Sequence, residues 1–147
     1  QLPRLNQVVL TAPDIDAEYF RTAIAPRIVQ TAERITIYSS SRDLALKASS
    51  MVNQLGKRRL GEAGEELSVF PDYRNIEVVD ASAVDTALFS LNHSYVGDSA
   101  SVLDDIADVL SGVSPGERGL QSLMDSTAWR IRGVRQRIQQ ASHTVVR

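Results

Sequence analysis

Ile35-Thr36-Ile37-Tyr38-Ser39-Ser40-Ser41-Arg42-Asp43 joins a β-branched and aromatic run to three small polar residues and an acid. Branching at Cβ suits the pleated backbone of a strand, and the serines suit the loop that leaves it. A strand over 35–39 is expected. Upstream, Val8-Val9-Leu10 is a second short apolar run, stopped by Ala12-Pro13-Asp14. That brevity, with a proline brake, fits a buried parallel strand over 7–12. Downstream, Ile76-Glu77-Val78-Val79 reads as a third strand.

Helical patterns fall between and after these runs. Tyr19, Phe20, Ala23 and Ile24 follow Asp14 and Asp16, either of which can accept from the free amides at a helix start. A helix over about 16–32, bent near Pro26, is expected. Leu44, Ala45, Ala48, Met51, Val52 and Leu55 form a second stripe that ends at Gly56. Residues 57–74 read as an irregular excursion and 80–97 as mostly loop. Val102, Leu103, Ile106, Val109 and Leu110 then make a last amphipathic helix, expected to start at Ala100 with Ser99 as its cap. The order β-α-β-α-β-loop-α calls for an α/β fold: a short parallel sheet of three main strands, right-handed crossovers and flanking helices. Ligands of such sheets gather at the C-terminal strand ends.

A chain of 147 residues builds one packed unit. With 43% hydrophobic and 23% charged residues it lies outside the disordered and collagen-like classes. The absence of cysteine excludes disulfides, cysteine zinc sites and thiol nucleophiles, and two histidines are too few for a His-rich metal site. No cofactor or metal is expected. No apolar run exceeds four residues, against roughly 18–20 for a bilayer span, so no transmembrane segment is expected. A net charge of −2 exerts no overall pull on nucleic acid, and none is expected as a partner.

The charge is nevertheless lopsided. Residues 126–147 hold five arginines (130, 132, 135, 137 and 147) and no acid. Past Val113-Ser114-Pro115-Gly116 an amphipathic helix from about Leu120 to Gln140 is expected, so the chain divides into a body, 1–112, and an Arg-rich helical tail, 113–147. The tail reads as a solvated face docking on an acidic body, with nucleic-acid or membrane-surface binding as its alternatives. The opening Gln1-Leu2-Pro3 carries neither an initiator methionine nor an export signal. The natural start is therefore expected upstream, and the chain reads as a fragment or a processed product.

Three polar segments follow strands and should converge on one sheet edge: Pro13-Asp14-Ile15-Asp16, Ser39-Ser40-Ser41-Arg42-Asp43 and Asn92-His93-Ser94-Tyr95. Alone, Asp43 reads as a helix N-cap and His93 as a structural or exposed histidine. An acid after one strand and a histidine after the next reproduce the Asp-then-His order of the α/β-hydrolase triad.

Together with Val8-Val9-Leu10-Thr11-Ala12-Pro13-Asp14-Ile15-Asp16, Thr36-Ile37-Tyr38-Ser39-Ser40-Ser41-Arg42-Asp43-Leu44-Ala45-Leu46 and Leu91-Asn92-His93-Ser94-Tyr95, the chain resembles the α/β-hydrolase-like family DUF900 over roughly residues 5–112. The resemblance implies that 7–12, 35–39 and 75–80 are the sixth, seventh and eighth strands of a hydrolase sheet. It also implies that Asp43 is the triad acid and His93 the triad base. A hydrogen-bonded imidazole is what makes a serine hydroxyl nucleophilic, and a carboxylate holds the imidazole in the working tautomer. Asp14 and Asp16 read either as helix caps or as outer support for the nucleophile loop.

The family's serine sits in a strand-turn-helix elbow before the sixth strand, and only seven residues precede Val8. The elbow and the oxyanion loop are therefore expected upstream. Gly97-Asp98-Ser99-Ala100 only superficially resembles the Gly-Asp-Ser-Leu block of another esterase class. The expected function is a segment of a serine hydrolase acting on a small ester or acyl substrate, inactive by itself. The alternative is a non-catalytic interaction or scaffold module. A strand over 7–12 without its fifth-strand neighbour should leave backbone groups unpaired. The expected partners are the upstream half of the same protein or a second copy, unless a tail helix striped by Trp129, Ile131, Val134 and Ile138 covers the gap.

Overall fold

A computed structural model describes residues 3–41, 59–62, 70–84, 96–124 and 127–132. The first two expected strands are longer than their apolar runs: β1 is Leu5–Thr11 and β2 is Ala32–Ser39, while β3 is Ile76–Asp80. All three run parallel, each beside its chain neighbour. The sheet order is β1-β2-β3-β5-β4, where β4 is Gln121–Met124 and β5 is Ala128–Arg130. β5 lies parallel to β3, and β4 closes antiparallel on β5. The fold class is the expected α/β one.

Register sorts the side chains between two faces, because successive residues of a strand point to opposite sides. Val8, Ile35 and Ile76 align across one face, and so do Leu10, Ile37, Val78 and Ala128. Val9, Thr36 and Glu77 align across the other, followed by Thr11, Tyr38, Val79 and Trp129. The first face packs with Phe20, Ala25, Leu60 and Phe70, and the second with Val84, Val102 and Ile131. Burying each Ile or Val side chain contributes about 1.5–3 kcal/mol.

The segment after β1 is helical but shorter than expected. α1 is Ala17–Tyr19, a π-helical turn covers Phe20–Ile24, and α2 is Ala25–Ile28. Phe20 and Ala25, five residues apart, are both buried. An α-helix would set them about 140° apart around its axis, whereas a π turn brings them to one side. The extra turn thus serves the core; the expected bend at Pro26 does not produce it, since proline sits harmlessly in the first turn of α2. The last carbonyls of α2 are closed locally, by Val29 N on Ala25 O, Gln30 N on Arg27 O and Thr31 N on Ile28 O, and the carbonyls just past it are held from outside. Arg4 and the Asn75 amide both donate to Val29 O and Ala32 O, which turns the chain into β2.

The second stripe, Leu44–Leu55, lies outside the described residues. The last helix, α3, is Val96–Leu110 and ends at Gly112 with φ 83°. It begins before Ala100, so Ser99 lies within its first turn rather than at its cap. The helix expected from Leu120 is overturned as far as the described residues reach: Gln121–Met124 and Ala128–Arg130 are strands. Trp129-Arg130-Ile131-Arg132 alternates apolar and basic residues with period two, the signature of a half-buried strand. Trp129 and Ile131 are buried at the β5 end of the sheet, and so they do not cover β1. β1 remains an edge strand among the described residues, with Leu5 exposed.

Candidate functional site

Parallel strands put the ends of β1, β2, β3 and β5 on one edge. There β1 stops where Ala12 takes φ 43°, a left-handed backbone that costs a non-glycine residue about 1 kcal/mol. Gly61 holds the turn from the other side: its N–H donates to Pro13 O at 3.0 Å and its carbonyl accepts from Ser40 N at 2.9 Å. A Cβ at Gly61 would lie 2.4 Å from the Ala12 carbonyl carbon, so only glycine allows this approach. Of the expected outer supports, Asp16 accepts from Tyr19 N at 2.7 Å and thereby caps α1. Asp14 pairs with Arg59 at 3.2 Å with its side chain 55% exposed.

The exits of β2 and β3 are stitched to each other. Ala81 N donates to Ser39 O at 2.8 Å, and Ser41 N to Ser82 Oγ at 2.8 Å. Asp80 organises this junction: its carboxylate accepts from Ser82 N at 2.8 Å and from Arg130 Nε at 2.8 Å. It is a buried acid that the pattern of residues did not single out. Its signal was an acid ending an apolar run, but the partner arginine is fifty residues away in sequence. Ser39 Oγ is buried and unpartnered at the same edge. Asp43 and His93 lie outside the described residues.

Beneath this edge, on the α3 face, lies a buried polar cluster. Tyr38 OH donates to Asp105 Oδ2 at 2.5 Å, Thr36 Oγ1 to Glu77 Oε1 at 2.6 Å and Arg118 Nη2 to Glu77 Oε1 at 2.7 Å. Arg118 Nη1 lies 3.5 Å from Asp105 Oδ2, and the arginine side chain is wholly buried. Burial, then the hydrogen bond to Asp105, drives the Tyr38 phenol far above its ordinary range. Asp105 is raised as well, chiefly by burial, against the opposing pull of Tyr38 and Arg118. One guanidinium thus faces two carboxyls in a dry setting. The Tyr38 phenol keeps its proton at working pH and donates it to Asp105, so the cluster clamps the sheet to the helix.

The comparisons with known proteins agree with this architecture. A family model described as an alpha/beta hydrolase of unknown function, DUF900, matches residues 1–111. The chain belongs to that family. No curated protein and no solved structure matches it. DUF900 membership makes the C-terminal edge the place to look for chemistry, and it bears on a motif that reading by position alone passes over. Gly112-Val113-Ser114-Pro115-Gly116 carries the G-x-S-x-G spacing of a nucleophile elbow. Here it follows a helix instead of a strand, and Arg34 near the start of β2 donates to Val113 O at 2.7 Å, which fixes it at the opposite edge. Ser114 is itself occupied, donating to Glu117 Oε2 at 2.5 Å. This serine is a turn residue of the DUF900 sheet's far side.

Proposed function

We propose that this chain carries the acid and histidine limb of a Ser-Asp-His hydrolase site that cleaves small ester or acyl substrates. Asp43 orients the imidazole and stabilises its cation; His93 takes the serine proton and returns it to the leaving group. On this reading the serine elbow and the oxyanion donors come from outside these 147 residues. Asp14 and Asp16 hold the loop that leaves β1, which walls the site on that side. The observation that carries the reading is the stitching of Ser39–Ser41 to Ala81–Ser82, which sets the residues shortly before Asp43 and those some ten positions before His93 side by side on one edge. One observation favours a scaffold role instead. Asp14, Asp16 and Asp80, the acids described at this edge, all have structural partners already.

Imidazole titration by NMR separates the two readings, with His143→Gln assigning the two histidines. Pairing with Asp43 raises the His93 pKa above its ordinary value of about 6.5, and Asp43→Asn brings it back. A His93 titration indifferent to Asp43→Asn overturns the triad assignment. The chain alone is expected to show no turnover of a short p-nitrophenyl ester above background. Turnover that disappears in His93→Ala would mean that a serine within the chain serves.

A further inference from the structure

α3 carries Asp98, Asp104, Asp105 and Asp108 and neither lysine nor arginine. Asp105 accepts from Tyr38 and, with Asp104 and Asp108, lines a crevice of about 290 Å³ whose wall includes Leu120, Ile131 and Arg132. Beside that acidic shoulder runs an exposed apolar stripe at helical spacing, Leu103, Ala107 and Leu110, with Leu103 50% and Leu110 62% exposed. Asp108 sits in the last turn, against the negative end of the helix dipole, where a cation nearby is stabilising. Arg118, which also lines the crevice, is committed to Glu77 and Asp105.

We propose that this face of α3 is the docking surface for residues 133–147 of the same chain. The chain reaches Arg132 on the crevice wall itself, next to Asp104 and Asp108. The fifteen residues beyond it can extend as far as roughly 50 Å, while the fifteen residues of α3 span only about 22 Å. Length is therefore sufficient. They also carry what α3 lacks: Arg135, Arg137 and Arg147 with no acid, and Val134, Ile138, Val145 and Val146 to set on the Leu103–Leu110 stripe. Arginine stems lie along apolar surface while their heads reach the aspartates, so one segment satisfies both features. The arginine-rich tail is by this account an intramolecular cover for an acidic, half-apolar helix.

The cysteine-free sequence makes a clean test. Ile138→Cys is combined in the full chain with Leu103→Cys, with Leu110→Cys, or with Tyr19→Cys as an exposed control on the opposite side of the sheet. Under mild oxidation the two α3 pairs are expected to close intramolecular disulfides about tenfold faster than the control, from their higher effective concentration. Equal rates overturn the proposal, and so do disulfides that form between molecules, which would make a second copy the occupant. Asp104→Lys together with Asp108→Lys, with folding checked by circular dichroism, is expected to slow closure roughly two- to fivefold at low salt and hardly at all at 1 M salt. Closure indifferent to both charge reversal and salt also overturns it.

Discussion

The two faces of the sheet are held by different physics. On one, Val8, Leu10, Ile35, Ile37, Ile76 and Val78 meet Phe20, Leu60 and Phe70, the two phenylalanine rings edge-on at 5.5 Å. On the other, Tyr38, Val79 and Trp129 share the space under α3 with Thr36, Glu77, Asp105 and Arg118. Apolar contact is non-directional and tolerates small changes of shape, whereas a buried charge tolerates only a matched partner. The hydrocarbon face therefore supplies bulk stability, and the mixed face fixes how α3 and the segment through Arg118 sit on the strands.

The largest break of that comparison is Arg118→Met. It leaves Glu77 and Asp105 buried without their counter-ion, and about 3–5 kcal/mol of unfolding free energy should be lost in urea titration. Asp105 Oδ1 and Arg118 Nε have no hydrogen-bond partner, so the network is not fully satisfied even intact. Replacing all five members at once (Thr36→Val, Tyr38→Phe, Glu77→Leu, Asp105→Leu, Arg118→Met) should then recover most of the loss. A quintuple variant as unstable as Arg118→Met would show that packing, not the orphaned charges, causes the deficit.

A smaller effect comes from Tyr38→Phe, which removes a donor from a buried acceptor and should cost about 1–3 kcal/mol. The same pair gives the mixed face a pH dependence. Asp105 binds its proton more tightly folded than unfolded, so its contribution is complete below the unfolded carboxyl range. That contribution is lost as pH rises through the raised folded value. Urea midpoints between pH 3 and 7 should lose this component on the way up in the wild type, and Asp105→Asn should remove the loss. A dependence surviving in Asp105→Asn would assign it to another group.

The contrast also explains what was legible in the sequence. Val8-Val9-Leu10, Ile35-Thr36-Ile37-Tyr38 and Ile76-Glu77-Val78-Val79 announced three strands because local branching and apolarity carry that signal. Parallel order followed from the helices between them. The mixed cluster was illegible because its members, Thr36, Tyr38, Glu77, Asp105 and Arg118, are joined only by folding, and Glu77 looks like a polar interruption in an apolar run. The π turn was hidden for a related reason, since Phe20 and Ala25 share a face only once the core demands it. Trp129 and Ile131 were misassigned because a short alternating run also fits a helical stripe when arginines flank it. Of the candidate site, the edge was legible through Asp14, Asp16 and the Ser39–Ser41 loop, whereas Asp80 needed its arginine.

The smallest expected effect tests whether the two faces are independent. Ile76→Val removes one methylene from the hydrocarbon face, where Ile76 is 1% exposed, and should cost about 0.5–1.5 kcal/mol. Its neighbours there, such as Ile35 and Val78, make no contact with the Tyr38 hydroxyl on the other side of the sheet. Combined with Tyr38→Phe, the two losses should add within about 0.3–0.5 kcal/mol, as they do for sites that share no partner. A larger discrepancy would mean that strain at the Tyr38–Asp105 bond passes through the β2–β3 backbone into the opposite core. The sheet would then be one coupled unit rather than a wall between two cores, and a loop change at its C-terminal edge would be felt on both faces.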